Sequence, residues 1–113
     1  MDSKTIQPQP RAIDLPVNGE SYLPLLHGEP DSAGMRSGYV RLMPGESVGM
    51  HSTEGNEEVV VPLSGNGELR SPGCEALSIH PGRVLYNPPH TPHDVVNTGS
   101  TPLCYVYIVA KAG

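Results

Sequence analysis

The chain of 113 residues contains no tryptophan and no phenylalanine, so its five tyrosines are its only aromatic side chains. Cysteine is almost as scarce. Cys74 and Cys104 permit one intramolecular bridge at most and form no CxxC pair, so both are read as free thiols in a reducing compartment, with Cys104 at a strand position and Cys74 in or beside a turn. No apolar run approaches the roughly 20 residues of a membrane-crossing helix. There is no basic run either, and the net charge is −5. Such a surface offers no electrostatic grip on a phosphate backbone or an anionic bilayer, which argues against nucleic-acid and membrane partners. Residues 1–11 lack the apolar centre of a signal peptide, so the expectation is a soluble, cytoplasmic protein. Also missing are a helical hydrophobic stripe, an internal repeat, a Ser-His-Asp spacing, a phosphate loop and a dinucleotide fingerprint.

Thirteen glycines and thirteen prolines punctuate the remainder. Between them lie short apolar runs suited to strands: 22–26, 39–43, 47–50, 58–63, 76–79, 83–86, 93–97 and 103–110. Pro44-Gly45, Gly65-Asn66-Gly67, Pro72-Gly73, Pro81-Gly82, Pro88-Pro89 and Gly99 supply the fixed or positive φ that tight turns require. Strands recurring every 8–12 residues, roughly, imply an all-β sandwich or barrel with little or no helix. The chain length fits one domain, taken as residues 13–113, preceded by an arm over 1–12 that is either loose or laid along a sheet edge. The last run, Leu103 to Ala110, is apolar on both faces. It therefore calls for cover on its outer side, from the arm or from a second copy in a homodimer.

The histidines become informative through their neighbours. His51 ends an apolar run, a polar turn follows, and the chain returns through Glu57-Glu58 into Val59-Val60-Val61. Alternation along a strand puts His51 and Thr53 on one face, and a returning strand sets Glu58 opposite. A carboxylate turned inward among valines is costly unless a partner, such as a metal ion, neutralises it.

Gly45, His51, Glu58 and Gly65 resemble the first motif of the cupin superfamily, with Thr53 standing where that motif has a second histidine. Gly82, Pro88, His93 and Asn97 resemble the second motif, with His90 in place of its inner glycine. All gaps are kept. The resemblance implies a jelly-roll β-barrel with a small-molecule pocket at one mouth. It also implies one divalent transition metal (iron, manganese, nickel, zinc or copper) held by His51, Glu58 and His93.

Two imidazoles and a carboxylate make up the facial triad of non-haem iron oxygenases, and three ligands leave open positions for water, oxygen or substrate. A metal-dependent enzyme acting on a small polar or anionic molecule is therefore expected, with dioxygenase chemistry first and isomerase or lyase chemistry next. A non-catalytic binding or sensor cupin is the alternative. Thr53 is a candidate to hydrogen-bond a water on the ion, and Glu57 or His90 to move a proton. Glu57 is also the alternative inward carboxylate, since a one-residue slip reverses the face, although the gap to Gly65 fits Glu58. His90 is the alternative third imidazole, unless it takes an exposed turn conformation. Asn97 is expected to brace the loop after His93, and His27 and His80 to lie at the surface. Arg41 and Tyr39, Tyr86, Tyr105 and Tyr107 are further candidates to line a pocket.

Overall fold

A computed structural model describes residues 9–16 and 19–113. Its strands are β1 (Tyr22–His27), β2 (Arg36–Leu42), β3 (His51–Ser52), β4 (Asn56–Ser64), β5 (Gly67–Arg70), β6 (Leu77–Ile79), β7 (Leu85–Asn87), β8 (Pro92–Val96) and β9 (Leu103–Lys111), with no helix among the described residues. They form two antiparallel sheets, ordered β1-β2-β9-β4-β7 and β3-β8-β5-β6. This is the expected all-β jelly roll.

Period-two alternation decides what faces the interior. The β2–β9 register sets Leu42 opposite Leu103, Val40 opposite Tyr105, Gly38 opposite Tyr107 and Arg36 opposite Val109. Leu42, Leu103 and Tyr105 join Val60, Leu69, Ile79, Leu85 and Val95 in one buried core drawn from both sheets. Burying each aliphatic side chain there contributes about 1.5–3 kcal/mol. The core closes one end of the barrel, and the inward positions at the other end are left to carry chemistry. On the opposite face of β9, Cys104, Val106, Ile108 and Ala110 are half-buried, so the strand is apolar on both sides, as its sequence suggests. Both cysteines are free.

Two strand assignments differ from the sequence reading. Residues 47–50 do not form a strand: Ser47 makes a single bridge to Val96, and Gly49 takes φ 105°. Pairing resumes at His51–Ser52, against Pro92 and His93. Strand β5 escapes the sequence reading because Gly-Glu-Leu-Arg shows only one large apolar residue. Its alternation lies in a buried Gly67 and a buried Leu69.

Of the arm assigned to residues 1–12, residues 1–8 lie outside the described part. Arg11 ties the following segment to the loop after β1. Its guanidinium meets the Asp31 carboxylate at 2.8 Å and donates to the Asp31 carbonyl at 2.8 Å.

Candidate metal centre

The residues singled out in the two motifs meet where the sheets face each other. His51 and His93 are directly opposed in the β3–β8 pair, and their rings stand 4.3 Å apart, centroid to centroid. Glu58 comes from the other sheet, on β4 between β7 and β9, and brings its Oε1 to 3.1 Å from His93 Nε2.

Backbone carbonyls set the orientation of both rings. His51 Nδ1 lies 2.7 Å from the Gly49 carbonyl, and His93 Nδ1 lies 2.9 Å from the Thr91 carbonyl. A carbonyl only accepts, so each Nδ1 carries a proton, and in the neutral ring Nε2 keeps its lone pair. This is how ligating histidines are commonly presented to a metal. Asp94 supports the arrangement by accepting from the Gly49 N–H at 2.9 Å.

His93 is 1% exposed, and its Nε2 makes no hydrogen bond. Although Glu58 Oε1 is only 3.1 Å away, it stands off the direction of the ring nitrogen, so the contact is one of charge and not a hydrogen bond. Asn87 donates to the same oxygen at 3.0 Å, holding the carboxylate in place. Burial pulls the His93 pKa down, but the adjacent Glu58 carboxylate outweighs it and the net direction is up. With a carboxylate oxygen 3.1 Å away, a cation at Nε2, whether proton or metal ion, is favoured over the bare lone pair, which is the sense of the raised pKa. The donor set therefore suits a divalent ion. Among the described residues, no three His, Cys, Asp or Glu side chains are arranged to clasp an ion as they stand. Glu58 and His93 lie 3.1 Å apart, and His51, the exposed member, stands beside His93 on a two-residue strand.

A cavity of about 720 Å³ opens over this cluster, bounded by His51, Glu58, Val60, His93, Tyr105 and Tyr107, among others. Residues 38–109 match the family described as "Cupin domain".

The chain belongs to the cupin family.

This cupin is 41% identical over 68 residues to glucose-6-phosphate isomerase from Pyrococcus abyssi, covering 56% of the chain and 36% of that protein. It is 33% identical over 70 residues to an oxalate-binding protein from Thermotoga maritima, covering 62% of the chain and 57% of the relative. It therefore spans about a third and somewhat over half of these two curated relatives. A crystal structure of a predicted oxalate decarboxylase from Thermotoga maritima superposes with a TM-score of 0.73 at 30% identity, over 80% of the chain and 78% of that structure.

The remaining candidates fall elsewhere in this cupin. Thr53 is buried beside the cluster, but its hydroxyl donates to the Pro88 carbonyl at 2.6 Å and accepts from the Thr91 N–H at 3.0 Å. Its proton is thus committed to the backbone, so toward a water on an ion it has only its remaining lone pair to offer, as an acceptor. Glu57 sits opposite Ala110, on the outer side of the sheet, and accepts from the Tyr86 hydroxyl at 2.8 Å. His90 is exposed with φ 55°, and its N–H donates to the Glu54 carbonyl at 2.7 Å. The backbone there is left-handed, which accounts for a glycine at this place in the family motif. His27 and His80 are exposed. Asn97 is buried and does brace its loop: it donates to the Leu42 and Thr101 carbonyls and accepts from the Gly99 N–H.

Of the pocket candidates, Tyr105, Tyr107 and Arg41 line the cavity, whereas Tyr39 and Tyr86 do not. Sequence reasoning missed Asn87, Tyr22 and Arg36. Asn87 was within reach, since it alternates with the inward Leu85. The other two depend on cross-strand register, which no local pattern reveals.

Proposed function

We propose that this cupin binds one divalent transition metal through His51, Glu58 and His93, and acts on a small anionic molecule held in the cavity above. The observation carrying this reading is the pair of tethered imidazoles, with the buried His93 Nε2 unbonded at 3.1 Å from a carboxylate. Iron, manganese, nickel, zinc and copper all suit two imidazoles and a carboxylate. When bound, such an ion supplies Lewis-acid polarisation of an oxygen donor, or redox chemistry if it is iron, manganese or copper.

The chain's own residues do the rest. Glu58 contributes one negative charge against two from the cation, so the loaded site stays net positive and favours carboxylate, enolate or diketonate groups. Asn87 fixes the carboxylate, and the Gly49 and Thr91 carbonyls fix the tautomers. Val60, Val95 and Tyr105 contribute apolar wall to the site, which strengthens charge interactions beside them. The ligand composition alone ranks dioxygenase chemistry first. The relatives bear the names of an isomerase, an oxalate-binding protein and a predicted oxalate decarboxylase, which moves weight toward isomerase or lyase chemistry on a small acid. A non-catalytic binding protein is the second reading, favoured by the oxalate-binding relative.

Elemental analysis of protein purified without an affinity tag tests the metal assignment. The expected result is about one equivalent per chain in wild type, with strong loss in His93→Ala. Undiminished metal in that variant rejects the ligand set. Turnover of small carboxylic acids by the loaded protein, or tight binding without turnover, then separates enzyme from binding protein.

A further inference from the structure

Arg36 lies on the wall of the cavity, yet its guanidinium makes no ion pair and no hydrogen bond among the described residues. Arg36 is exposed at the edge of the cavity, and a guanidinium there without a partner among these residues is open to pair with an anion in the cavity. Register fixes its position relative to the metal cluster. Arg36 is opposite Val109 across β2–β9, and Val109 is opposite Glu58 across β4–β9. Arg36 and Glu58 therefore share one inward row with a single strand between them, a backbone separation of about 10 Å.

Beside Arg36 is a pair of phenols. The Tyr22 and Tyr107 hydroxyls lie 2.6 Å apart, and their rings stack at 6.4 Å. Gly38 makes this possible: a Cβ there would come within 2.6 Å of the Tyr107 ring, so only glycine lets the ring lie flat across β2. Burial, followed by the bond to Tyr22, pushes the Tyr107 pKa up, with Arg36 opposing. One phenol proton lies in the Tyr22–Tyr107 bond, which leaves the pair one proton to donate to an anion.

We infer that Arg36, with the Tyr22–Tyr107 hydroxyl pair, forms a second anion subsite, so that the ligand of this cupin is a small molecule with two anionic groups a few carbons apart. This rests on the metal reading above, which places the first anionic group. One end is held beside Glu58 and His93, the other against Arg36. The group at Arg36 is a carboxylate or a phosphate, either of which a guanidinium binds through paired N–H donors.

The test is calorimetric titration of metal-loaded protein with oxalate, malonate, succinate and glutarate, with phosphoglycolate, and with acetate and butyrate as single-charge controls. Metal content is measured in the same samples. Wild type should bind its best dianion at least about tenfold more tightly than either monoanion, the scale of a hydrogen bond to a charged group. Arg36→Gln should erase that advantage with metal content unchanged, Tyr107→Phe should reduce it, and surface Arg83→Gln should preserve it. The identity of the best dianion distinguishes carboxylate from phosphate at Arg36. Fully loaded wild type showing no preference for dianions, or Arg36→Gln retaining it, overturns this inference alone. Wild type that takes up no metal overturns the metal reading, and this one with it.

Discussion

Thr53 stands where the family motif carries a second imidazole, and its hydroxyl joins the Pro88 carbonyl to the Thr91 N–H. This links the turn after β3 to the loop that delivers His93. Thr53→Val keeps the shape and strips both part-buried backbone groups of their partner, so a loss of about 1 kcal/mol of stability is expected. Denaturant unfolding measures that loss, and metal content should not change. A variant as stable as wild type would contradict the bracing role.

His51, Glu58 and His93 were legible in the sequence because motif gaps report strand lengths, and strand lengths bring these residues together. The role of Thr53 was not, since its partners lie 35 and 38 positions away in the chain. Arg36 was hidden for a similar reason: its relation to Glu58 passes through β9.

At the scale of elements, the turns were easier to read than the strands they join. Gly45 and Gly65 both adopt φ 85°, but their surroundings differ. A Cβ on Gly65 would fall 2.2 Å from the Pro102 carbonyl oxygen, whereas nothing lies within 4 Å of one on Gly45. Alanine at Gly45 should cost only the left-handed conformation, about 1–2 kcal/mol. Gly65→Ala should cost several times more, because the β4–β5 turn must shift against backbone. Comparing the two unfolding midpoints checks this, and equal losses would mean that φ alone requires the glycine. The short strands were harder to place: β3 has two residues and β6 and β7 three each, too few for alternation to set an end.

For the molecule as a whole, the metal ligands come from both sheets, His51 and His93 from one and Glu58 from the other. An ion would therefore clamp the two sheets together. Because it binds only the folded chain, metal at 100 times its dissociation constant should add about 2.7 kcal/mol to stability. Thermal melts with and without a chelator should differ accordingly in wild type and coincide in His93→Ala. The outer residues of β9, Val106 and Ile108 among them, are half-buried within the chain, and we propose that a second copy covers the rest of this sheet face. Light scattering should then give twice the 12.0 kDa chain mass, falling to a single chain in Val106→Glu, and a wild-type monomer would rule the contact out.

The fold itself was readable because glycine and proline mark nearly every corner. What the barrel holds depends on whether one cation joins its two halves, and anomalous diffraction from crystals grown with manganese or zinc answers that directly. One anomalous peak about 2.0–2.2 Å from the Nε2 atoms of His51 and His93 and from a Glu58 carboxylate oxygen is the expected result. Well-ordered side chains with no peak between them, or a peak bound elsewhere, would contradict it.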